Sequence, residues 1–194
     1  RYCNVRNFKS DFSDSLGGGK FVLLGVASPW NTRKGLEDFC RLRRMLSLYE
    51  FAIILVGLKP EQIDRLPDGI ISITRINSEQ ELPEYYSMAD VFVNLTYLDT
   101  FPTVNLEALA CGTPVLTYRT GGSPESVDEK TGIVVAQGDV KGVVNAITSM
   151  KMNPLSAESC RKRAEDNFDK DKCYEAYIQL YDDLIKDDRY KYSL

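Results

Sequence analysis

Six short apolar runs alternate along the chain with segments of helical periodicity. Each run is five to seven residues long, which suits a strand better than a buried helix. Strands buried on both faces read as continuous apolar runs, and parallel strands need a crossover, usually a helix, between them. The alternation therefore predicts an α/β fold in which helices cover both faces of a parallel sheet. The predicted strands cover residues 21–27, 51–57, 69–74, 90–96, 114–118 and 132–136.

The segments between the runs predict helices, and further helices follow the last run. In the first helix, apolar residues recur every three or four positions, and Arg41, Arg43 and Arg44 are expected mostly on the outer face. Ser78 is the expected N-cap of the third helix, and Pro83 must either lie in the first turns of that helix or break it. The predicted helices cover residues 35–49, 61–66, 78–89, 103–111, 139–152, 157–168 and 170–188.

Composition excludes several classes of function. The chain has no histidine, so a Ser-His-Asp or Cys-His nucleophile system cannot form within it. The net charge of −4 gives no support to nucleic-acid binding, and the apolar runs are far too short for a transmembrane segment. Five cysteines without a C-x-x-C pair indicate reduced thiols in a cytosolic protein rather than a metal site. The 194 residues suit one domain, and because the first residue is not Met they are read as a trimmed chain or a piece of a longer protein.

The stretch DTFPTVNLEALACGTPVL, residues 99–116, places two carboxylates eight positions apart across a predicted helix start. The helix begins near Thr103 or Val104, and the free N–H groups and positive dipole end of a helix N-terminus suit a pyrophosphate. Glu107, one turn further on, can accept two hydrogen bonds from a vicinal diol such as a ribose, and Asp99 can accept hydrogen bonds from sugar hydroxyls. This order predicts a nucleotide-sugar site. The alternative is an Asp that caps the helix and a Glu on a solvated face.

The same stretch resembles the E-x7-E region of GT-B glycosyltransferases of the family 4 type, which commonly reads E-x-F-G-x-x-x-x-E-A-x-A-x-G-x-P-V. The resemblance extends over about residues 21–185. Four flanking segments resemble other parts of the family pattern in the same order: RKGLEDF (33–39), ITRINSEQELPEYYSMADVFVNLT (73–96), GGSPESV (121–127) and TGIVVAQGD (131–139). The residues in register with the E-x7-E pattern are Asp99, Phe101, Glu107, Ala108, Ala110, Gly112, Pro114 and Val115.

The resemblance implies a Rossmann-like, doubly wound parallel sheet of about six strands, the C-terminal half of a GT-B fold. Residues 1–20 would be a lead-in from the interdomain linker, and residues 21–168 would be the nucleotide-sugar-binding domain. Residues 169–194 would form a C-terminal helix that packs back toward an N-terminal domain that this chain lacks. Because that domain would supply the acceptor site and the family's usual catalytic histidine, this chain alone is expected to transfer nothing.

The resemblance also implies two catalytic residues. Lys34 matches the lysine that neutralises the leaving pyrophosphate, and a lysine at a helix start is unfavourable unless an anion is near it. Asp99 matches the glutamate that contacts the donor sugar, with one methylene less. The family usually pairs the lysine with an arginine after the first strand. Ser28-Pro29 occupy that region here, so Arg33 is the residue that would compensate.

The E-x7-E helix would hold the nucleotide and its diphosphate. Glu107 matches the glutamate that binds the ribose. The part of the pattern that offers backbone N–H groups to the diphosphate begins here with Phe101. Pro102 has no N–H, so Thr103 and Val104 would be the donors.

Two further segments would complete the donor site. Gly121 and Gly122 would allow a close approach between backbone and ligand. Arg75 and Asn77 fall where the family contacts the base, mainly through backbone atoms.

The implied activity is the transfer of a sugar from a UDP-, GDP- or ADP-linked donor to an acceptor hydroxyl with retention of configuration. The enzyme would be a hexosyltransferase of polysaccharide or glycoconjugate biosynthesis, cytoplasmic, with peripheral membrane association of the intact enzyme left open. No metal or other cofactor is expected, because the lysine and the helix N-terminus would stabilise the leaving diphosphate. The alternatives are a non-catalytic nucleotide-sugar-binding module and another GT-B enzyme such as a sugar-nucleotide epimerase.

Overall fold

In the computed structural model, residues 19–78 and 80–186 are described. Six parallel strands form one sheet in the order β3-β2-β1-β4-β5-β6. All six strands lie within the predicted runs, so the α/β prediction is confirmed. Most of the predicted lead-in, residues 1–18, lies outside the described residues, as do residues 187–194. The strands are β1 Phe21–Val26, β2 Phe51–Val56, β3 Ile70–Ile73, β4 Val91–Asn94, β5 Val115–Tyr118 and β6 Gly132–Val135.

The strand order reverses at β1. This strand pairs with β2 on one side and with β4 on the other, where Leu23 lies opposite Val91. The chain therefore leaves β1 in one direction and returns to its other side for β4. In open parallel sheets, ligands bind in the crevice beyond the carboxyl ends of the strands at such a switch point. The ends of β1 and β4 thus mark the place where a site is expected.

Helices cover both faces of the sheet and enclose two apolar clusters. One cluster joins Leu23 and Ile53 to residues of the first and fifth helices, and the other joins Leu24 and Ile54 to residues of the third, fourth and sixth. Neighbouring strand residues thus point into opposite layers, as the continuous apolar runs predicted. The helices are α1 Leu36–Met45, α2 Pro60–Ile63, α3 Glu81–Met88, α4 Thr103–Ala110, α5 Val140–Met152, α6 Ala157–Asn167 and α7 Lys170–Lys186.

The start of α3 differs from the prediction. The helix begins at Glu81 after Gln80, so the expected N-cap role of Ser78 is wrong. Pro83 is the third residue of the helix and lies in its first turn. Because the first N–H groups of a helix have no intrahelical partner, a proline there removes no helical hydrogen bond.

Arg43 also departs from the sequence expectation. It lies on α1 but is buried, with 3% of its surface exposed. Its Nη1 donates to the carbonyl of Phe51 over 3.0 Å, and its Nη2 donates to the carbonyl of Leu46 over 2.6 Å. Burial lowers the pKa of the Arg43 guanidinium. The arginine therefore joins the end of α1 to the start of β2 and satisfies two carbonyl groups at that junction.

We expect Arg43→Ala to lower the free energy of unfolding by about 2–3 kcal/mol, because two carbonyl groups would lose their donors and the stem would leave a cavity. The matched control is Arg44→Ala, one position along the same helix and exposed, which should change stability by less than about 0.5 kcal/mol. Urea unfolding of both variants measures the difference. Equal free energies of unfolding for the two variants would show that the buried contacts of Arg43 contribute nothing to stability.

The C-terminal helix α7 has no buried residue. Its aromatic and aliphatic side chains are on the surface, with Tyr174, Tyr177, Ile178 and Tyr181 each at least 60% exposed. Within the described parts of the chain, no helix has both the length and the apolar character needed to cross a bilayer.

Candidate functional site

Lys34 and Asp99 face each other across the switch point between β1 and β4. The Lys34 ammonium lies 2.8 Å from a carboxylate oxygen of Asp99, and both side chains are partly buried. The two residues are 65 positions apart in the sequence. The anion that a lysine at a helix start requires is thus supplied by the chain itself. A second anion placed here would meet both the ammonium and the carboxylate.

The turn that carries Lys34 is held by its neighbours. It is a 3-10 turn, Thr32–Lys34, capped by the side chain of Asn31, which accepts the N–H of Lys34. Gly35 follows with φ 74°, and a Cβ atom there would lie 2.2 Å from the carbonyl oxygen of Leu95. Only glycine fits this close contact between the turn and the end of β4.

The loop after β4 is tied to the same turn. The N–H of Tyr97 donates to the carbonyl of Arg33 over 2.7 Å, and the Thr96 hydroxyl donates to the same oxygen. The Tyr97 hydroxyl donates to the buried carboxylate of Asp38 over 2.6 Å, and Tyr118 donates to the same carboxylate oxygen over 2.9 Å. The hydrogen bond to Asp38 raises the pKa of Tyr97 to about 12. The spacing between Lys34 and Asp99 therefore rests on a network that links β4, α1 and β5.

Helix α4 begins between the two carboxylates of the E-x7-E-like stretch. Its first residue is Thr103, which is exposed, and Pro102 precedes it. Val104 and Lys34 line the same cavity of about 160 Å³ at the ends of β1 and β4. Because Val104 lines it, the first turn of α4 lies at the edge of this cavity, and the first N–H groups of a helix have no intrahelical partner. This end of the helix suits an anionic group next to Lys34.

Three side chains that the sequence analysis did not single out fix α4 against the sheet. The Asn94 amide donates to the side-chain oxygen of Asn105 over 2.9 Å, and the Asn105 amide donates to the Ser126 hydroxyl over 2.9 Å. All three side chains are buried. Asparagine is mostly exposed in proteins, and burial is not readable from the sequence, so the sequence carried no signal for this network. It joins the end of β4, helix α4 and the loop after Gly122.

Glu107 lies one turn into α4 and is held by α3. Its Oε2 accepts the hydroxyl proton of Tyr86 over 2.9 Å. Thr103 and Glu107 also line a groove of about 460 Å³ between α4 and the junction of α6 with α7. Glu107 is therefore not the freely solvated side chain of the alternative, and Asp99 is not the cap, because Pro102 holds the N-cap position and no side chain in the described residues caps the helix. The sequence analysis did not identify Tyr86 as the partner of Glu107, because nothing in the Tyr85-Tyr86 pair distinguishes one tyrosine from the other.

Gly121 and Gly122 lie against the loop that carries Asp99. A Cβ atom on Gly121 would lie 1.8 Å from the carbonyl oxygen of Asp99, and the N–H of Gly122 donates to the carbonyl of Thr100 over 2.8 Å. The close backbone approach that the glycines allow is therefore to this loop.

Phe101 packs beside the glycine pair and against Phe168, with ring centroids 5.9 Å apart. Arg163 holds the adjoining loop through the carbonyls of Glu125 and Ser126 and the carboxylate of Asp128. The aromatic ring of Phe101 thus supports the loop from the side of α6.

The remaining predicted residues lie further out. The side chain of Arg33 is exposed, and no ion pair of this residue is found within residues 19–78 and 80–186. Arg75 and Asn77 follow β3 at the edge of the sheet and are exposed. The N–H of Asn77 donates to the carboxylate of Glu81 over 2.6 Å. These three residues are not in contact with Lys34 or Asp99 through any hydrogen bond seen in the described residues.

A metal site was not expected. In the described ranges, no group of three or more His, Cys, Asp or Glu side chains could hold a metal ion. The carboxylates of the Asp169-x-Asp171 segment have a simpler role, because Asp169 caps α7 by accepting the N–H groups of Asp171 and Lys172. Metal-free action stays a prediction.

Residues 17–167 match the sequence profile of the family described as glycosyl transferases group 1. The chain belongs to this family, so the resemblance to glycosyltransferases drawn from the motifs is confirmed, and the family 4 type stays a prediction. One similar protein is the GDP-mannose-dependent alpha-(1-6)-phosphatidylinositol monomannoside mannosyltransferase of Mycolicibacterium smegmatis, 34% identical over 142 residues. That match covers 64% of this chain and 37% of the mannosyltransferase. Another is N-acetyl-alpha-D-glucosaminyl L-malate synthase of Bacillus anthracis, 31% identical over 72% of this chain and 36% of the synthase.

Solved structures share the fold. Sucrose-phosphate synthase of Thermosynechococcus elongatus superposes with a TM-score of 0.73 at 25% identity, over 89% of this chain and 49% of the synthase. Anabaena HepE in complex with UDP superposes with a TM-score of 0.79 at 18% identity, over 92% of this chain and 53% of HepE. The chain thus spans about a third of the length of these sequence relatives and about half of these solved chains.

Proposed function

We propose that this chain is the donor-binding domain of a retaining glycosyltransferase. The observation that carries the proposal is the arrangement at the switch point, where Lys34, Asp99 and the N-terminus of α4 meet, with Glu107 one turn along that helix. The first carboxylate, the helix N-terminus with a cation beside it, and the second carboxylate fit a sugar, a diphosphate and a ribose in this order. Membership of the glycosyl transferases group 1 family supports it.

The donor would lie along α4. Its diphosphate would contact Lys34 and the N–H groups of Thr103 and Val104, its ribose would bind Glu107, and its sugar would approach Asp99. The names of similar proteins include GDP-mannose as a donor and UDP as a bound ligand, which supports a nucleotide-diphosphate sugar and leaves the base open. Arg75 and Asn77, beyond β3, would meet the base.

In the proposed reaction, the bond between the anomeric carbon and the diphosphate oxygen breaks as the acceptor oxygen bonds to that carbon. The acceptor loses its proton, and the nucleoside diphosphate leaves with the bonding electron pair. The Lys34 ammonium and the N-terminus of α4 would stabilise the charge on the departing diphosphate. In the free domain Asp99 holds this ammonium in place, which avoids reorganisation when the donor binds. No metal is needed for this step.

The proposed enzyme has a second, N-terminal domain that carries the acceptor site and a catalytic histidine. The exposed apolar side chains of α7, such as Tyr174 and Ile178, would pack against it as part of the segment 169–194. This chain alone would bind the donor nucleotide and transfer no sugar. Peripheral membrane association would be a property of the two-domain enzyme.

The ion pair of Lys34 and Asp99 also favours a second candidate, a non-catalytic nucleotide-sugar-binding module. The pair is satisfied without a ligand, and Asp99 is shorter than the glutamate of the family pattern. Such a module would bind the nucleotide through Glu107 in the same way. The two candidates differ in whether substitution of Lys34 abolishes a transfer reaction.

Calorimetric titration of this chain with UDP, GDP and ADP tests the donor site. We expect saturable binding of one diphosphate, weakened at least about 20-fold by Glu107→Ala, because the ribose would lose a charged acceptor of two hydrogen bonds. Glu165→Ala is the matched control. Glu165 lines the same groove but pairs with Arg161, so its loss should leave affinity within about twofold. Equal effects of the two substitutions would contradict the ribose role of Glu107.

A further inference from the structure

Tyr86 is one of the most deeply buried large side chains of the protein, with 1% of its surface exposed. Its ring packs edge-on against Phe92 of β4, with centroids 5.3 Å apart. Its carbonyl accepts the hydroxyl of Thr113, so the backbone at Tyr86 is anchored as well. A side chain held on so many sides places its hydroxyl at one position. That position is 2.9 Å from Oε2 of Glu107.

The direction of this hydrogen bond is set by charge. Burial, and then the nearby carboxylate of Glu107, raise the pKa of Tyr86 far above its ordinary value. The hydroxyl therefore stays protonated and is the hydrogen-bond donor to the Glu107 carboxylate. A free glutamate on a helix surface samples several rotamers, and one that binds a ligand must give up that freedom. The tyrosine imposes this restriction before any ligand arrives.

We propose that Tyr86 is the positioning residue of the ribose subsite, an inference that rests on the proposed function of Glu107. The hydroxyl occupies one lone pair of Oε2 and fixes the plane of the carboxylate. Oε1 and the remaining lone pair of Oε2 are then left as acceptors for the two hydroxyls of a vicinal diol. Tyr86 acts only through Glu107 and does not touch the ligand. The expected contribution is to affinity for the ribose and not to the sugar or the diphosphate.

The test measures the affinities of two ligands for both the unaltered chain and the Tyr86→Phe variant. The probes are the nucleoside diphosphate that this chain binds and its 2′,3′-dideoxy analogue, which offers Glu107 no diol. We expect Tyr86→Phe to weaken binding of the natural diphosphate about fivefold and to leave the affinity of the dideoxy analogue unchanged within about 1.5-fold. A general loosening of the fold would weaken both ligands alike.

Tyr85→Phe is the matched control. It removes the same group from the adjacent buried residue, whose hydroxyl donates to Glu81 over 3.3 Å and not to Glu107. Any effect of this variant should be the same for both ligands. Thermal unfolding of each variant checks that the fold persists.

The outcomes separate the inference from the function on which it rests. Binding by the unaltered chain with equal losses for both ligands in Tyr86→Phe, or with no loss for either, would overturn the role of Tyr86 and leave the donor site standing. Absence of binding of any diphosphate by the unaltered chain would overturn the proposed function and this inference with it. A loss confined to the natural diphosphate supports both.

Discussion

Lys34→Met in the proposed two-domain enzyme is expected to lower kcat by about 100- to 1,000-fold, the range found when a single stabilising donor is removed from a developing negative charge. The methionine keeps much of the length of the side chain and removes the charge together with the N–H donors. Two effects then destabilise the departing diphosphate. The departing diphosphate loses its cation, and the Asp99 carboxylate, 2.8 Å from the ammonium in the free domain, is left to repel the phosphate.

Steady-state transfer assays with the unaltered enzyme, Lys34→Met and Lys59→Met measure this effect. Lys59 is the matched control because it is exposed before the short helix α2 and lies 4.0 Å from Glu61. Its substitution should leave kcat within about twofold. A Lys34→Met enzyme with normal kcat would remove the lysine from the mechanism. Nucleotide binding without transfer in the unaltered two-domain protein would favour the non-catalytic module.

The second large effect concerns the glycine beneath the Asp99 loop. Gly121→Ala is expected to lower the free energy of unfolding by about 3 kcal/mol or more and to abolish nucleotide binding. Gly121 has a φ of +47°, and the added Cβ would lie 1.8 Å from the carbonyl oxygen of Asp99. Because that neighbour is backbone, the loop itself must move. Any movement displaces Asp99 from Lys34 and shifts the start of α4.

Gly19→Ala is the matched control, because it separates the cost of a positive φ from the steric clash with the Asp99 carbonyl. Gly19 also has a positive φ, +76°, but a Cβ there would meet nothing within 4 Å. Its substitution should cost only about 1 kcal/mol, the penalty of a left-handed conformation for alanine, and should not change nucleotide affinity. Urea unfolding and the diphosphate titration of both variants measure the two quantities. Similar values for the two variants would mean that the loop yields easily and does not define the site.

Much of the fold was predictable because its signals are local. The six strands fall within apolar runs that needed only a count of consecutive residues, such as FAIILVG around β2. The extent of helices was less certain, as the first helix shows: residues 35–49 were predicted, but α1 ends at Met45 because Leu46 is extended. Arg43 was placed outside by its charge, yet it is buried because two carbonyl groups of the chain lie within reach of its guanidinium.

The site divides in the same way. Lys34, Asp99 and Glu107 could be selected from the sequence, because a lysine before a helix and two acids around a helix start are readable at short range. The role of Tyr86 could not be read, because its hydroxyl meets Glu107 across 21 residues of chain and through two different helices. The hydrogen bond between the buried amides of Asn94 and Asn105 was also missed, because it joins a strand to a helix 11 residues further along the chain.

The sequence by itself determined the order of strands and helices along the chain, the family, and the residues that we propose for the donor site, since periodicity and motif spacing are properties of neighbouring residues. Only the tertiary structure decided that Lys34 is paired with Asp99, that Tyr86 holds Glu107, and that Gly121 supports the Asp99 loop. These contacts join segments that follow different strands. They exist because a parallel sheet brings the carboxyl ends of its strands to one edge, where loops distant in sequence become neighbours.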